Sequence, residues 1–312
     1  MSARSFTECV QTSPAILMEG ALGERLKREY HIVFDDHVAM AGLVYDAKGR
    51  KALAELWKGY MDIARRYRLP FLATTPTRRA NKERIGASRF TEKIIADNVH
   101  FLRGIQKDAD LEMYVGGLMG CEGDAYTAEG ALTEDEAYRF HKWTAKRFLE
   151  AGTDFLYAGI MPSLPEAAGL AEAVSDTRLP YIISFTVRAD GRLIDGTPIS
   201  EAIRYIDQRA DNPPAAYMSN CIHPVNLFKA LAQDFNQTDR VRERFLGIQA
   251  NTSPLPYAEL DHSPDLKCSE PEILAREMGR LSEISGIKIW GGCCGTDDRH
   301  MECLARVITA GK

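Results

Sequence analysis

Ile287-Lys288-Ile289-Trp290-Gly291-Gly292-Cys293-Cys294-Gly295-Thr296 is an apolar run that breaks into a glycine-flanked pair of cysteines. The stretch 287–292 reads as a buried strand, and the residues after Thr296 as a helix. Glycine supplies positive φ or close backbone approach, so this turn is built to aim two sulfurs off a strand end. Two adjacent cysteines do not fill a tetrahedral metal site, and partners must come from elsewhere in the chain.

Seven runs of the same kind precede it, at 15–18, 70–75, 113–118, 155–160, 181–186, 215–220 and 245–250. Helical signals lie between them. Leu53, Leu56, Trp57, Tyr60, Met61, Ala64 and Tyr67 recur at helical spacing. The segment 79–106 reads as one helix with a break near Gly86. Thr133-Glu134-Asp135-Glu136 is a capping box that opens a helix ending at Gly152. Further helices are predicted over 165–174, 198–207, 224–235 and 271–284. Short buried strands alternating with helices imply parallel βαβ units. Eight of them predict the α/β class: a (β/α)8 TIM-type barrel, single domain, over 15–312, preceded by an N-terminal arm at 1–14. A doubly wound open sheet is the runner-up, but no Gly-x-Gly-x-x-Gly follows the first strand.

Composition narrows the function classes. A net charge of −5 without a basic run argues against nucleic acid or an anionic membrane as partner. No apolar stretch is long enough to span a bilayer, and residues 1–14 lack the apolar core of a secretory signal. Seven cysteines, an odd number, do not form a disulfide framework in a chain of this length. A reducing, cytoplasmic setting is expected.

On such a barrel the functional groups sit at the C-terminal strand ends. Cys221 ends the sixth strand, and Cys293 and Cys294 end the eighth, so all three thiols converge on one rim. Three sulfurs are a soft donor set that suits Zn2+ with its fourth position open. Two plainer readings stand beside this one. The thiols could be inert buried side chains, or a closed structural zinc could recruit Cys121, His223, Cys268, His300 or Cys303. Cys121 is the strongest of these, since it also follows a strand. Cys9, in the arm, stands apart from the set.

Asn220-Cys221-Ile222-His223-Pro224 and the run Gly291 to Thr296, continuing to His300, carry a resemblance. Weaker elements are Gly20-Ala21-Leu22-Gly23, Leu132-Thr133 with Phe140-His141, and Ile183-Ser184-Phe185-Thr186 followed by Asp195-Gly196-Thr197. Through these residues the chain resembles the homocysteine S-methyltransferase family from Ile16 to its end. The resemblance implies a homocysteine-binding-like barrel with Zn2+ on Cys221, Cys293 and Cys294. It implies transfer of a methyl group from an activated donor to a zinc-bound thiolate, by default homocysteine to methionine. Metal binding would turn a mostly protonated thiol into a nucleophile. The partners implied are a small-molecule thiol and a sulfonium, ammonium or methyl-corrinoid donor, any corrinoid arriving on a separate protein.

The chain departs from the family at the substrate end. Glu19 stands where the family has Asp, and Glu19 and Gly20 are the expected substrate contacts. Gly159 stands where the family has an amino-binding Glu, which makes a different small thiol or selenol the alternative acceptor. Arg78 or Arg79, after the second strand, could bind a carboxylate bidentately or simply begin a solvated helix. His223 reads as support for the ligand loop or as packing. His141 reads as structural, Asn220 as holding its turn, and Glu122 and Asp124 as rim or loop residues. A barrel with a closed structural zinc, acting as a binding protein, is the rival from another class.

Overall fold

The computed structural model describes residues 4–255 and 269–310. Its strands are β1 Ile16–Met18, β2 Phe71–Thr74, β3 Met113–Gly120, β4 Phe155–Met161, β5 Tyr181–Phe185, β6 Ala216–Ile222, β7 Phe245–Ala250 and β8 Ile289–Gly292. They form a closed barrel in sequence order. Every neighbouring pair is parallel, and closure is made by β1 against β8, with Ile16 opposite Ile289 and Leu17 opposite Trp290.

The apolar runs are explained by burial on both faces. Alternate residues, among them Ile16, Met18, Leu72, Tyr157, Ile182 and Met218, fill the barrel interior. Their neighbours Leu17, Ala73, Leu156, Ile183 and Trp290 pack outward against the helices.

The helices are α1 Phe6–Thr12, α2 Gly23–Arg28, α3 Ala47–Arg66, α4 Lys82–Ala87, α5 Lys93–Lys107, α6 Glu134–Ala151, α7 Leu164–Ser175, α8 Ile199–Arg209, α9 Pro224–Leu231, α10 Asp239–Arg244, α11 Pro271–Arg280 and α12 Asp298–Thr309. The capping box at Thr133 and Glu136 is formed, and Gly152 ends α6 with φ +77. The helix expected over 79–106 is two, because α4 ends at Ala87 and α5 begins at Lys93. The helices expected to reach Phe235 and Ile284 end earlier, at Leu231 and Arg280, and 3-10 turns follow. Short α2 and α10 have too few residues to show an amphipathic period in the sequence.

Residues 4–14 of the N-terminal arm fold onto the barrel. Ser5 and Glu8 cap α1 reciprocally, and Phe6, Cys9 and Val10 join the cluster that fills the barrel interior. Phe6 stacks on Phe155, at the start of β4, with ring centroids 4.2 Å apart. One end of the barrel is therefore plugged, which leaves the C-terminal ends of the strands as the mouth.

Candidate metal centre

Strand alternation puts Met218 and Asn220 on the inner face of β6 and would turn Cys221 outward. The backbone overrides that pattern. Cys221 has φ +58, and the pairing of β6 with β7 shifts register between Asn220 and Ile222. This bulge re-aims the side chain, as bulges beside functional sites do. Ser184, on β5, donates its Oγ hydrogen to Asn220 Oδ1 at 2.6 Å and holds the turn from inside.

At the end of β8, Cys293 N donates to Ala250 O at 2.7 Å, which ties the turn to β7. Gly295 has φ +84, a conformation that favours glycine. Thr296 folds back under the turn. Its hydroxyl donates to Cys293 O at 2.7 Å and accepts from Ala21 N at 3.0 Å, linking the loops after β1 and β8. A side chain at Gly292 would collide with Thr296, so glycine is required there for the close approach.

These two turns bring Cys221, Cys293 and Cys294 together, with all three sulfurs within 4.8 Å of one another. Cys221 and Cys293 are 2.6 Å apart. Cys221 is buried, Cys293 intermediate and Cys294 exposed, so the cluster opens toward the mouth. Hydrogen bonds from Cys293 and Cys294 draw the Cys221 thiol well below its ordinary range. Cys293 moves up because it shares its proton with Cys221, and Cys294 is pushed up to about 12 for the same reason. Three thiolates this close repel one another strongly, and a divalent cation relieves that repulsion. The donor set fits zinc: soft, three-sulfur, and open on one side. Tyr126, in the loop after β3, lines the same cavity as Cys221.

The other ligands considered from the sequence lie elsewhere. Cys121 is buried, its thiol hydrogen-bonds to Gly123 O at 3.5 Å, and burial together with the charge of Glu166 pushes it up to about 12. It is not part of the three-sulfur cluster. Cys303 meets Glu272 and Arg306 on the outer helices. Both ring nitrogens of His223 are engaged, by Val225 N and Ser269 Oγ. Those of His300 are engaged by Asp297 and Ser269 O. Cys268 lies outside the described residues.

Glu19 is buried. Its carboxylate accepts from Trp57 Nε1 at 2.6 Å, and from Thr74 N at 3.0 Å and Thr74 Oγ1 at 2.5 Å. Burial raises it to about 7. Gly20 lies against the Tyr60 ring, where a Cβ would come within 2.7 Å of it. Neither is brought into the sulfur cluster. Glu24, on α2, is engaged by Arg28 at 3.1 Å and by the Gly295 amide.

Asp124 caps its own loop by accepting from Tyr126 N and Thr127 N. Glu122 accepts from Asn81 Nδ2 at 3.3 Å. His141 meets the fully buried Glu166 at 3.3 Å, and Glu166 also accepts from Glu122 N and Leu132 N. The pair thus anchors both ends of the loop that carries Tyr126. The sequence pattern did not single out Tyr126 or Glu166; the only signal was that Glu166 is an acid among the apolar residues of α7.

The comparisons with known proteins agree with this geometry. A family model described as homocysteine S-methyltransferase matches residues 16–308. Among curated relatives, homocysteine S-methyltransferase YbgG of Bacillus subtilis is 26% identical over 192 residues, covering 59% of this chain and 56% of that protein. Betaine–homocysteine S-methyltransferase 1 of Danio rerio is 25% identical over 217 residues, covering 61% and 51%. The matches therefore span about half the length of these curated relatives. Among solved structures, the homocysteine methyltransferase MmuM of Escherichia coli shares the fold. Its oxidized form has TM-score 0.73 at 20% identity over 95% of this chain and 96% of that one. Its metallated form has TM-score 0.72 at 20% identity over 95% and 97%. With its family match covering all eight strands and both cysteine turns, the chain belongs to the homocysteine S-methyltransferase family.

Proposed function

We propose that this protein is a zinc-dependent S-methyltransferase that moves a methyl group from an activated small-molecule donor to a thiol, homocysteine being the default acceptor. The observation that carries this reading is the meeting of three sulfurs, from β6 and β8, at the open end of the barrel. Zinc held by Cys221, Cys293 and Cys294 would lower the pKa of an acceptor thiol, so that it reacts as a thiolate near neutral pH. The residues around it supply position. Ser184 and Asn220 fix the Cys221 turn, Thr296 fixes the Cys293 turn, and Tyr126 walls the cavity beside Cys221.

Donor and acceptor must then meet in line. A cavity of about 450 Å3 adjoins Cys221, bounded by Tyr126, Val187, Arg188, Ile194, Ile222 and Leu255. Its apolar walls suit the methyl-bearing end of a sulfonium or ammonium donor, and its size suits a small molecule. The acceptor sulfur forms a bond to the methyl carbon as the donor's sulfur or nitrogen takes the departing pair and leaves neutral. Among the described residues no helix is long and apolar enough to cross a membrane.

X-ray absorption of the zinc-loaded protein tests the reading. Zinc should sit among three sulfurs plus one oxygen or nitrogen, and added homocysteine should convert this to four sulfurs. A four-sulfur spectrum indifferent to thiol would overturn it in favour of a closed structural zinc.

A further inference from the structure

Where β3 and β4 approach the mouth, the inward positions above Leu118 and Tyr157 are glycines. Gly120 and Gly159 are register partners across these strands. Leu118 and Tyr157, two residues earlier, contribute to the barrel interior, so the glycines occupy the next inward positions. A Cβ on Gly159 would lie 2.7 Å from Leu118 Cδ1. A Cβ on Gly120 would lie 2.6 Å from Arg78 Cγ and from Arg78 O. The Arg78 side chain thus crosses the space that Gly120 leaves vacant.

Arg78 is half-buried, and among the described residues its guanidinium has no ion pair or side-chain hydrogen bond. Arg78 follows β2 and lies against the end of β3, so it stands at the same C-terminal end of the barrel as the sulfurs. Arg79 beside it is destabilised as a cation by burial, and further by Arg84 and Arg78. The carboxylates around the rim are committed elsewhere: Glu19 to Trp57 and Thr74, Glu24 to Arg28, and Asp124 to its own loop. Among the described residues the mouth therefore offers a guanidinium without a counter-ion. At the position across from it, Gly159 offers no carboxylate to meet an ammonium.

We infer that the acceptor thiol is recognised through an anionic group, a carboxylate or sulfonate, that pairs with Arg78, and that no amino group is required of it. This rests on the methyltransferase reading above and names its substrate class: mercapto-acids, of which homocysteine is one member. A planar guanidinium takes either anion by two parallel hydrogen bonds.

The test is direct thiol binding to the cobalt(II)-substituted protein, read from the sulfur-to-cobalt charge-transfer band and needing no methyl donor. The probes are homocysteine, 4-mercaptobutanoate, 3-mercaptopropane-1-sulfonate and 3-aminopropane-1-thiol. The inference expects 4-mercaptobutanoate to bind within about threefold of homocysteine. It expects the aminothiol to bind weaker by tenfold or more, the scale of one charge-assisted pair. The better of the carboxylate and sulfonate arms identifies the anion. Arg78→Met should weaken the acids about tenfold and erase their advantage over the aminothiol. Arg78→Lys, which keeps the charge but not the fork, should fall between. Homocysteine binding tenfold tighter than 4-mercaptobutanoate overturns the inference, as does an Arg78→Met protein that keeps its cobalt and its preference for acids. If Arg78→Met does not fold, the wild-type panel and Arg78→Lys still decide. A band indifferent to every thiol overturns the open metal site itself, and this inference with it.

Discussion

Glu19 shows how a single buried acid couples to pH. Its carboxyl is raised from 4.5 to about 7 by burial, against the hydrogen bonds of Thr74 and Trp57. The folded chain therefore holds this proton more tightly than the unfolded one. The resulting stabilisation is complete below about pH 4.5 and is lost as the pH rises through about 7. At about 1.4 kcal/mol per pH unit, that window is worth on the order of 3 kcal/mol. Denaturant unfolding of the wild type and Glu19→Gln should show a stability difference that shifts against the wild type between about pH 5 and about pH 8. A difference that stays flat would mean Glu19 keeps its charge throughout. Cys121 makes a second prediction at this scale. With its proton held up to about 12 and its sulfur outside the cluster, Cys121→Ser should leave zinc content unchanged, whereas Cys221→Ser should abolish tight binding. Metal analysis after dialysis distinguishes them.

At the scale of the element, the two sulfur-bearing turns are held in different ways. The β6 turn stores strain, since a non-glycine residue at φ +58 costs about 1–3 kcal/mol. The β8 turn is held by Thr296, whose hydroxyl satisfies both Ala21 N and Cys293 O. Thr296→Val keeps the shape and orphans Ala21 N, at about 1–3 kcal/mol, while Cys293 O keeps the Thr296 amide as donor. The expected result is a lower melting temperature together with weaker zinc binding in a chelator competition. Lost stability with unaltered zinc affinity would show that the turn keeps its geometry without the hydroxyl. The β8 turn was legible because its glycines and threonine are adjacent in sequence. The β6 bulge was not, because Asn220-Cys221 carries no residue that demands positive φ.

For the whole molecule, the barrel separates stability from chemistry. Phe6 stacks on Phe155 at the plugged end, while the sulfurs lie at the opposite mouth. Phe6→Ala should cost about 3 kcal/mol or more, as buried aromatic truncations do, without changing zinc stoichiometry or thiol affinity. Matching losses in both would mean that the two ends communicate through the core.

Eight buried runs with helical segments between them determined the barrel, because a parallel strand covered on both faces must be apolar along its length. The glycine-flanked cysteines determined which end would carry a soft metal. The direction of Cys221 did not follow from local sequence in the same way. Alternation would have turned Cys221 out of the barrel, and a bulge in its pairing with β7 turned it in. Glu19 kept its place in the pattern and met Trp57 in the helical layer. The pairing of Gly120 with Gly159 depends on the register between strands 39 residues apart in the chain. Side-chain type is written residue by residue, but register and bulges are settled only when neighbouring strands close the barrel.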